Sequence, residues 1–167
     1  MKGIELCFFR HGIALDRDAP GVASDAERPL TEEGIRKTRL AAEGLKRLEM
    51  GHDRIFTSPW LRARQTASIL SEVLLLPAAT ELPELAGDRT APELLEALAG
   101  NHGKRNLLVG HEPLLSATVV HILGGEWVLD LKKSGACTLL IDALPPRKPA
   151  TLLWSVTSRQ LRWMGKS

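Results

Sequence analysis

Residues 4–9, Ile-Glu-Leu-Cys-Phe-Phe, form a nearly unbroken apolar run. A run this short cannot make a stable helix, and it reads as a strand buried on both faces, which obliges the chain to supply covering layers above and below. A second run of this kind, Asn-Leu-Leu-Val at 106–109, carries the same requirement. The covering layers are legible between and after them. Thr31 is a candidate N-cap with Glu32 and Glu33 in the first turn, and Ile35, Thr38, Ala42, Leu45 and Leu48 follow at helical spacing to about Met50, before Gly51. After a short strand at 54–57, Ser58 reads as an N-cap and Pro59 as the first residue of a helix to about Leu75, burying Ala63, Ala67, Leu70 and Leu74. A short strand at 79–82 and a helix at 91–98 ending at Gly100 come next. A further helix carries Leu115, Val119 and Ile122 and stops at Gly124-Gly125.

This alternation of strand and helix argues an α/β fold of three layers, α/β/α, around a mostly parallel sheet. Residues 137–141 and 151–156 read as strands joined by a short Pro-rich connection, which gives the sheet an antiparallel edge strand. At 167 residues the expectation is a single domain spanning 1–167. A net charge of +2, from 22 basic and 20 acidic residues, argues against a nucleic-acid or membrane partner, so any useful positive potential must be local. Cys7 and Cys137 both fall inside apolar strands and read as buried thiols, and no apolar window approaches a membrane span. The expected location is cytoplasmic.

Three strand ends carry polar clusters, and ligands of open α/β sheets collect at the carboxyl ends of strands. The clusters are Arg10-His11-Gly12, Ser58-Pro59 with Arg62 and Arg64, and Gly110-His111-Glu112. Arg62 falls in the first turn of its helix, where exposed N–H groups and a guanidinium fork both suit an anion. A neutral imidazole can attack phosphorus while cations offset the charge of the group in transfer. Gly12, lacking a Cβ, lets the backbone come close to such a group, and Ser58 stands beside it as a substrate contact. The residues therefore point to phosphoryl chemistry without ranking His11 against His111.

Four segments in this order, Arg10-His11-Gly12, Arg28-Pro29-Leu30-Thr31-x-x-Gly34, Thr57-Ser58-Pro59-x-x-Arg62-Ala63-x-Gln65-Thr66 and Val109-Gly110-His111-x-Pro113, resemble the histidine phosphatase superfamily. The length of the chain makes it most like the small SixA-type phosphohistidine phosphatases. That resemblance implies a phosphoglycerate-mutase-like fold and a metal-independent phosphatase with no cofactor. It also implies His11 as the nucleophile that becomes phosphorylated, with Arg10, Arg62 and His111 holding the phosphoryl oxygens. Its implied substrate is a phosphohistidine-containing protein, a phosphotransfer domain or phosphocarrier, which would give the chain a place in signal transduction. The general acid stays open among Glu84, Glu112 and Asp16.

Two other readings use the same residues: a small-molecule phosphomonoesterase over which loop 13–30 closes, and a phosphate-binding regulatory module without catalysis. His52 and His102 read as exposed loop residues, His121 as a helix residue outside the site, and Arg64 as an exposed helix residue. Trp60 and Trp127 are candidates to rim the cleft. His111-Glu112 does not begin a zinc-binding helix motif, because the position four after His111 is Leu115.

Overall fold

The computed structural model describes residues 3–48, 51–126 and 128–166. The expected helix end at Met50 and the rim position of Trp127 lie outside the described residues. The first apolar run is strand β1 (Ile4–Arg10). It is followed by helix α1 (Glu32–Arg47), β2 (Arg54–Thr57), α2 (Leu61–Leu74), β3 (Thr80–Glu81) and α3 (Ala91–Ala99). The second half contains β4 (Arg105–Gly110), α4 (Leu114–Leu123), β5 (Ala136–Ile141), β6 (Thr151–Val156) and α5 (Ser158–Gly165).

The six strands form one sheet in the order β3-β2-β4-β1-β5-β6. The first four strands of the chain run parallel, β5 pairs antiparallel with β1, and β6 pairs antiparallel with β5 to take the edge. Successive residues of β1 face opposite layers, as a strand requires. Leu6 and Phe8 join a core with residues of α3 and α4, while Cys7 and Phe9 join one with residues of α1, α2 and α5. All four side chains are essentially inaccessible, and burying each of the two phenylalanines contributes about 1.5–3 kcal/mol. Both cysteines are buried free thiols, and desolvation pushes each up to about 12.

Helix α1 starts as its sequence indicates, with Thr31 Oγ1 accepting from the Gly34 N–H at 2.9 Å. Ile35, expected on the buried face, is 40% exposed, because Gly34 and Thr38 are the residues that turn inward. Helix α2 begins two residues later than expected. Its N-cap is Trp60, not Ser58, and the Ser58 hydroxyl accepts from the Trp60 N–H at 3.2 Å. Helix α5 was not among the expected elements. It carries a capping box from Thr157 and Gln160 and lies so close to α1 that a Cβ on Gly44 would sit 2.0 Å from the Leu161 carbonyl oxygen. No described helix is long and apolar enough to cross a membrane.

Candidate active site

Strand register builds the site. The β1–β4 pairing sets Arg10 opposite Gly110, and the His11 N–H continues the ladder to the Gly110 carbonyl at 3.1 Å. On the other side of β4, the Ser58 N–H donates to the Val109 carbonyl at 3.0 Å. Three carboxyl strand ends therefore converge, and an open cavity of about 460 Å³ lies over them. Arg10, His11, Arg62, His111 and Glu112 all line it, together with Trp60, Asp25, Arg28 and Lys133.

The His11 ring is buried, with Nδ1 2.6 Å from the Gly12 carbonyl oxygen. A carbonyl only accepts, so Nδ1 carries the hydrogen and Nε2 holds the lone pair. Arg62 Nε donates to that Nε2 at 3.3 Å. Desolvation, aided by the charges of Arg62 and Arg10, lowers His11 to about 3 against the pull of the Gly12 bond. The imidazole is thus neutral, and the bond at Nδ1 fixes the orientation of the Nε2 lone pair.

His111 stands beside it, ring centroids 4.9 Å apart, and its Nε2 is 2.8 Å from Ser58 Oγ. Ser58 Oγ already accepts from Trp60, so its own hydrogen is free for Nε2. That assignment leaves one buried group without a partner, the Nδ1–H of His111, whereas the opposite tautomer strands both the serine hydrogen and the Nδ1 lone pair. The site thereby holds a preformed N–H donor. Desolvation and then the neighbouring His11 push His111 down to about 2. The Trp60 indole packs on His111 and on the Arg62 guanidinium, 4.7 Å from its ring centroid.

Arg10 Nη1 donates to the Leu131 carbonyl at 2.7 Å, and its buried Nε has no partner. Arg62 is 4% exposed, and its two terminal nitrogens bond Asp25, one to the backbone carbonyl and one to Oδ2 at 3.0 Å. Asp25 also binds Arg28 at 2.8 Å and Arg17 at 2.9 Å. Burial alone would raise this carboxyl, but its bonds to Arg28 and Arg62 prevail and hold it well below the usual range. Loop 13–30 is thus pinned along one wall of the cavity, with Ala14 bridging to Leu30 at its base. Asp25, Arg28, Arg17 and Lys133 were not among the expected site residues. Arg28 lies in a motif segment and was visible in that sense, whereas Asp25 and Lys133 carry no local signal.

Two expected substrate contacts take other roles. The Gly12 N–H donates to Thr66 Oγ1 at 3.0 Å, and a Cβ on Gly12 would meet Thr38 Oγ1 at 2.3 Å, so its smallness serves packing against α1. Ser58 is fully buried behind His111 and does not line the cavity. Among the acid candidates, Glu112 lines the cavity, its Oε1 is buried without a partner, and desolvation raises it. Glu84 lies in the 3₁₀ turn Pro83–Leu85 and Asp16 is exposed on loop 13–30; neither lines the cavity. Arg64 points away and pairs with Glu81 at 3.6 Å. His52 is partly buried rather than exposed, and His121 is exposed. Among the described residues no group of three or more His, Cys, Asp or Glu is arranged to hold a metal ion.

Residues 6–87 match the model of the histidine phosphatase superfamily (branch 1). An uncharacterised protein of Picosynechococcus is 40% identical over 137 residues, which cover 79% of this chain and 82% of that protein. The phosphohistidine phosphatase SixA of Escherichia coli K12 is 36% identical over 143 residues, 83% of this chain and 86% of SixA. The structure of the protein histidine phosphatase SixA complexed with tungstate superposes with a TM-score of 0.81 at 30% identity, covering 95% of this chain and 99% of that one. With identity at this level along nearly the whole of SixA, and with the same three-layer fold, the chain belongs to the histidine phosphatase superfamily and is a phosphatase.

Proposed function

We propose that this phosphatase hydrolyses phosphohistidine on a protein through a phosphorylated His11. The observation that carries the reading is the state of the His11 ring, a neutral imidazole whose Nδ1–H is held by the Gly12 carbonyl and whose Nε2 lone pair, at the cavity, accepts only a 3.3 Å bond from Arg62 Nε, a donor that an incoming phosphoryl oxygen would take over. Arg10 Nε and His111 Nδ1, both buried donors without partners, supply the hydrogen bonds that an incoming phosphoryl group needs. Tungstate, the ligand in the SixA structure, is an oxyanion of similar shape and charge to phosphate.

In the first step His11 Nε2 attacks phosphorus, the P–N bond of the substrate breaks, and its imidazole departs with a proton from Glu112. In the second, water attacks the phosphoryl group on His11, inorganic phosphate leaves, and Glu112 recovers a proton. Arg10, Arg62 and His111 neutralise charge in both steps. An N-phosphate suits this site because its leaving imidazole departs with little help, so one partly buried carboxyl suffices. A panel of a phosphohistidine protein, phosphoramidate and sugar phosphates tests the substrate class. The reading requires the highest kcat/KM for the phosphohistidine protein, with loss of turnover in His11→Ala. Robust turnover of sugar phosphates, with none of the phosphohistidine protein, overturns it.

A further inference from the structure

Next to the catalytic cavity lies a second one of about 540 Å³, and Arg10 and Lys133 line both. Six cations line it: Arg10, Lys37, Lys132, Lys133, Arg159 and Arg162. They come from β1, α1, the segment before β5 and the first turns of α5, so no single helical face explains them. Three carboxylates offset them at the rim, one of them Asp16, whose charge acts on Lys133. Glu33 pairs with Lys37, and Asp130 pairs with Lys132 and lies 3.7 Å from Arg10 Nη1. Six cations against three anions leave a local surplus of three, more than the formal net charge of +2 of the whole chain. The remainder of the protein is therefore net acidic, and positive charge is concentrated beside the site.

We infer that this groove is the docking face for an acidic surface of the phosphoprotein substrate, seated while its phosphohistidine enters the neighbouring cavity. The inference rests on the proposed substrate class. A folded protein that delivers a side chain to His11 must cover the ground next to the cavity, and the shared Arg10 and Lys133 make that ground continuous. Lys132, Lys133 and Arg159 are exposed, and the six charges are spread along the groove, which suits several carboxylates on a surface better than one point anion. Complementary charge of this kind acts chiefly on encounter rate and partner choice.

Arg159→Glu and the pair Lys37→Glu/Arg159→Glu test the inference, with Arg159→Lys as the charge-conserving control. Position 159 is in the first turn of α5, where an acidic residue suits the helix, so the fold is retained. The expected result is a rise in KM of roughly fivefold or more for an acidic phosphohistidine protein, which fades at high salt, with phosphoramidate turnover unchanged. Arg159→Lys should behave as wild type. An unchanged KM for the phosphoprotein in the double variant overturns the docking face alone. So does an equal loss on both substrates, which would mark a structural defect. Charge-dependent binding of an oligonucleotide, with no change in phosphoprotein KM, reassigns the groove and also overturns it. If the wild-type protein turns over phosphoramidate and esters but no phosphohistidine protein, the substrate reading itself has failed.

Discussion

Burial of two neutral imidazoles makes folding stability sensitive to mild acid. Unfolded, His11 and His111 titrate near 6.5; folded, burial lowers them to about 3 and about 2. As pH falls below the unfolded value the unfolded chain takes up two protons that the folded protein refuses, so stability is intact above about pH 6.5 and declines beneath it. Each histidine forfeits about 2 kcal/mol between about pH 8 and about pH 5, or about 4 kcal/mol for the pair, a large part of a typical domain stability. His52, lowered to about 4 by burial, acts in the same direction. Glu112, raised by desolvation, opposes the three histidines with one proton, because the folded state binds that proton first. Asp25, whose folded value is depressed, adds its loss only below the ordinary carboxylate range, beneath this window. Urea unfolding in phosphate-free buffer, followed by tryptophan fluorescence at a series of pH values, measures the slope. In His11→Asn/His111→Gln, whose amides can replace the bonds to Gly12 and Ser58, most of the slope should vanish. A stability equal at about pH 8 and about pH 5, or the same slope in the double variant, refutes the reasoning.

Ser58→Ala removes the hydroxyl that holds His111 Nε2 and caps the Trp60 N–H; it should cost about 1–3 kcal/mol by denaturation and lower kcat about tenfold or more with little change in KM. Gly12→Ala drives a Cβ into Thr38 Oγ1 and should cost about 1–3 kcal/mol, with Thr38→Ala restoring part of the urea midpoint. Glu112→Gln should lower kcat on a phosphate ester by about tenfold to a thousandfold and on phosphohistidine by much less, because the ester leaving group depends more on a proton; equal losses on both argue against Glu112 as the acid.

The fold was legible where pattern and requirement coincide. The apolar run of β1, the Thr31 cap and the glycine stop at Gly124 each carry a local signal strong enough to survive tertiary packing. Helix α5 also had its signal, the Thr157 and Gln160 capping box, but its apolar face is short, with Leu161 buried and Met164 packed beside it at the edge of the core. The convergence of His11, Arg62 and His111 was anticipated from strand ends alone, since parallel register forces neighbouring carboxyl ends together. The surroundings of those residues were not. Asp25 reaches Arg62 across 37 positions of sequence, and Ser58 serves His111 across 53, so no local pattern records either contact. Gly12 shows the same limit, because a sequence marks that a Cβ is excluded but not whether a ligand or Thr38 excludes it.

The central claim is that His11 carries the phosphoryl group. Rapid acid-free quenching of the wild-type protein with phosphorus-labelled substrate, followed by peptide mapping, tests it most directly. The account predicts an acid-labile, alkali-stable phosphopeptide containing His11, formed and lost at rates consistent with kcat and absent in His11→Ala. Turnover at wild-type rates in His11→Ala, or label found on any other residue at a catalytically competent rate, would contradict it.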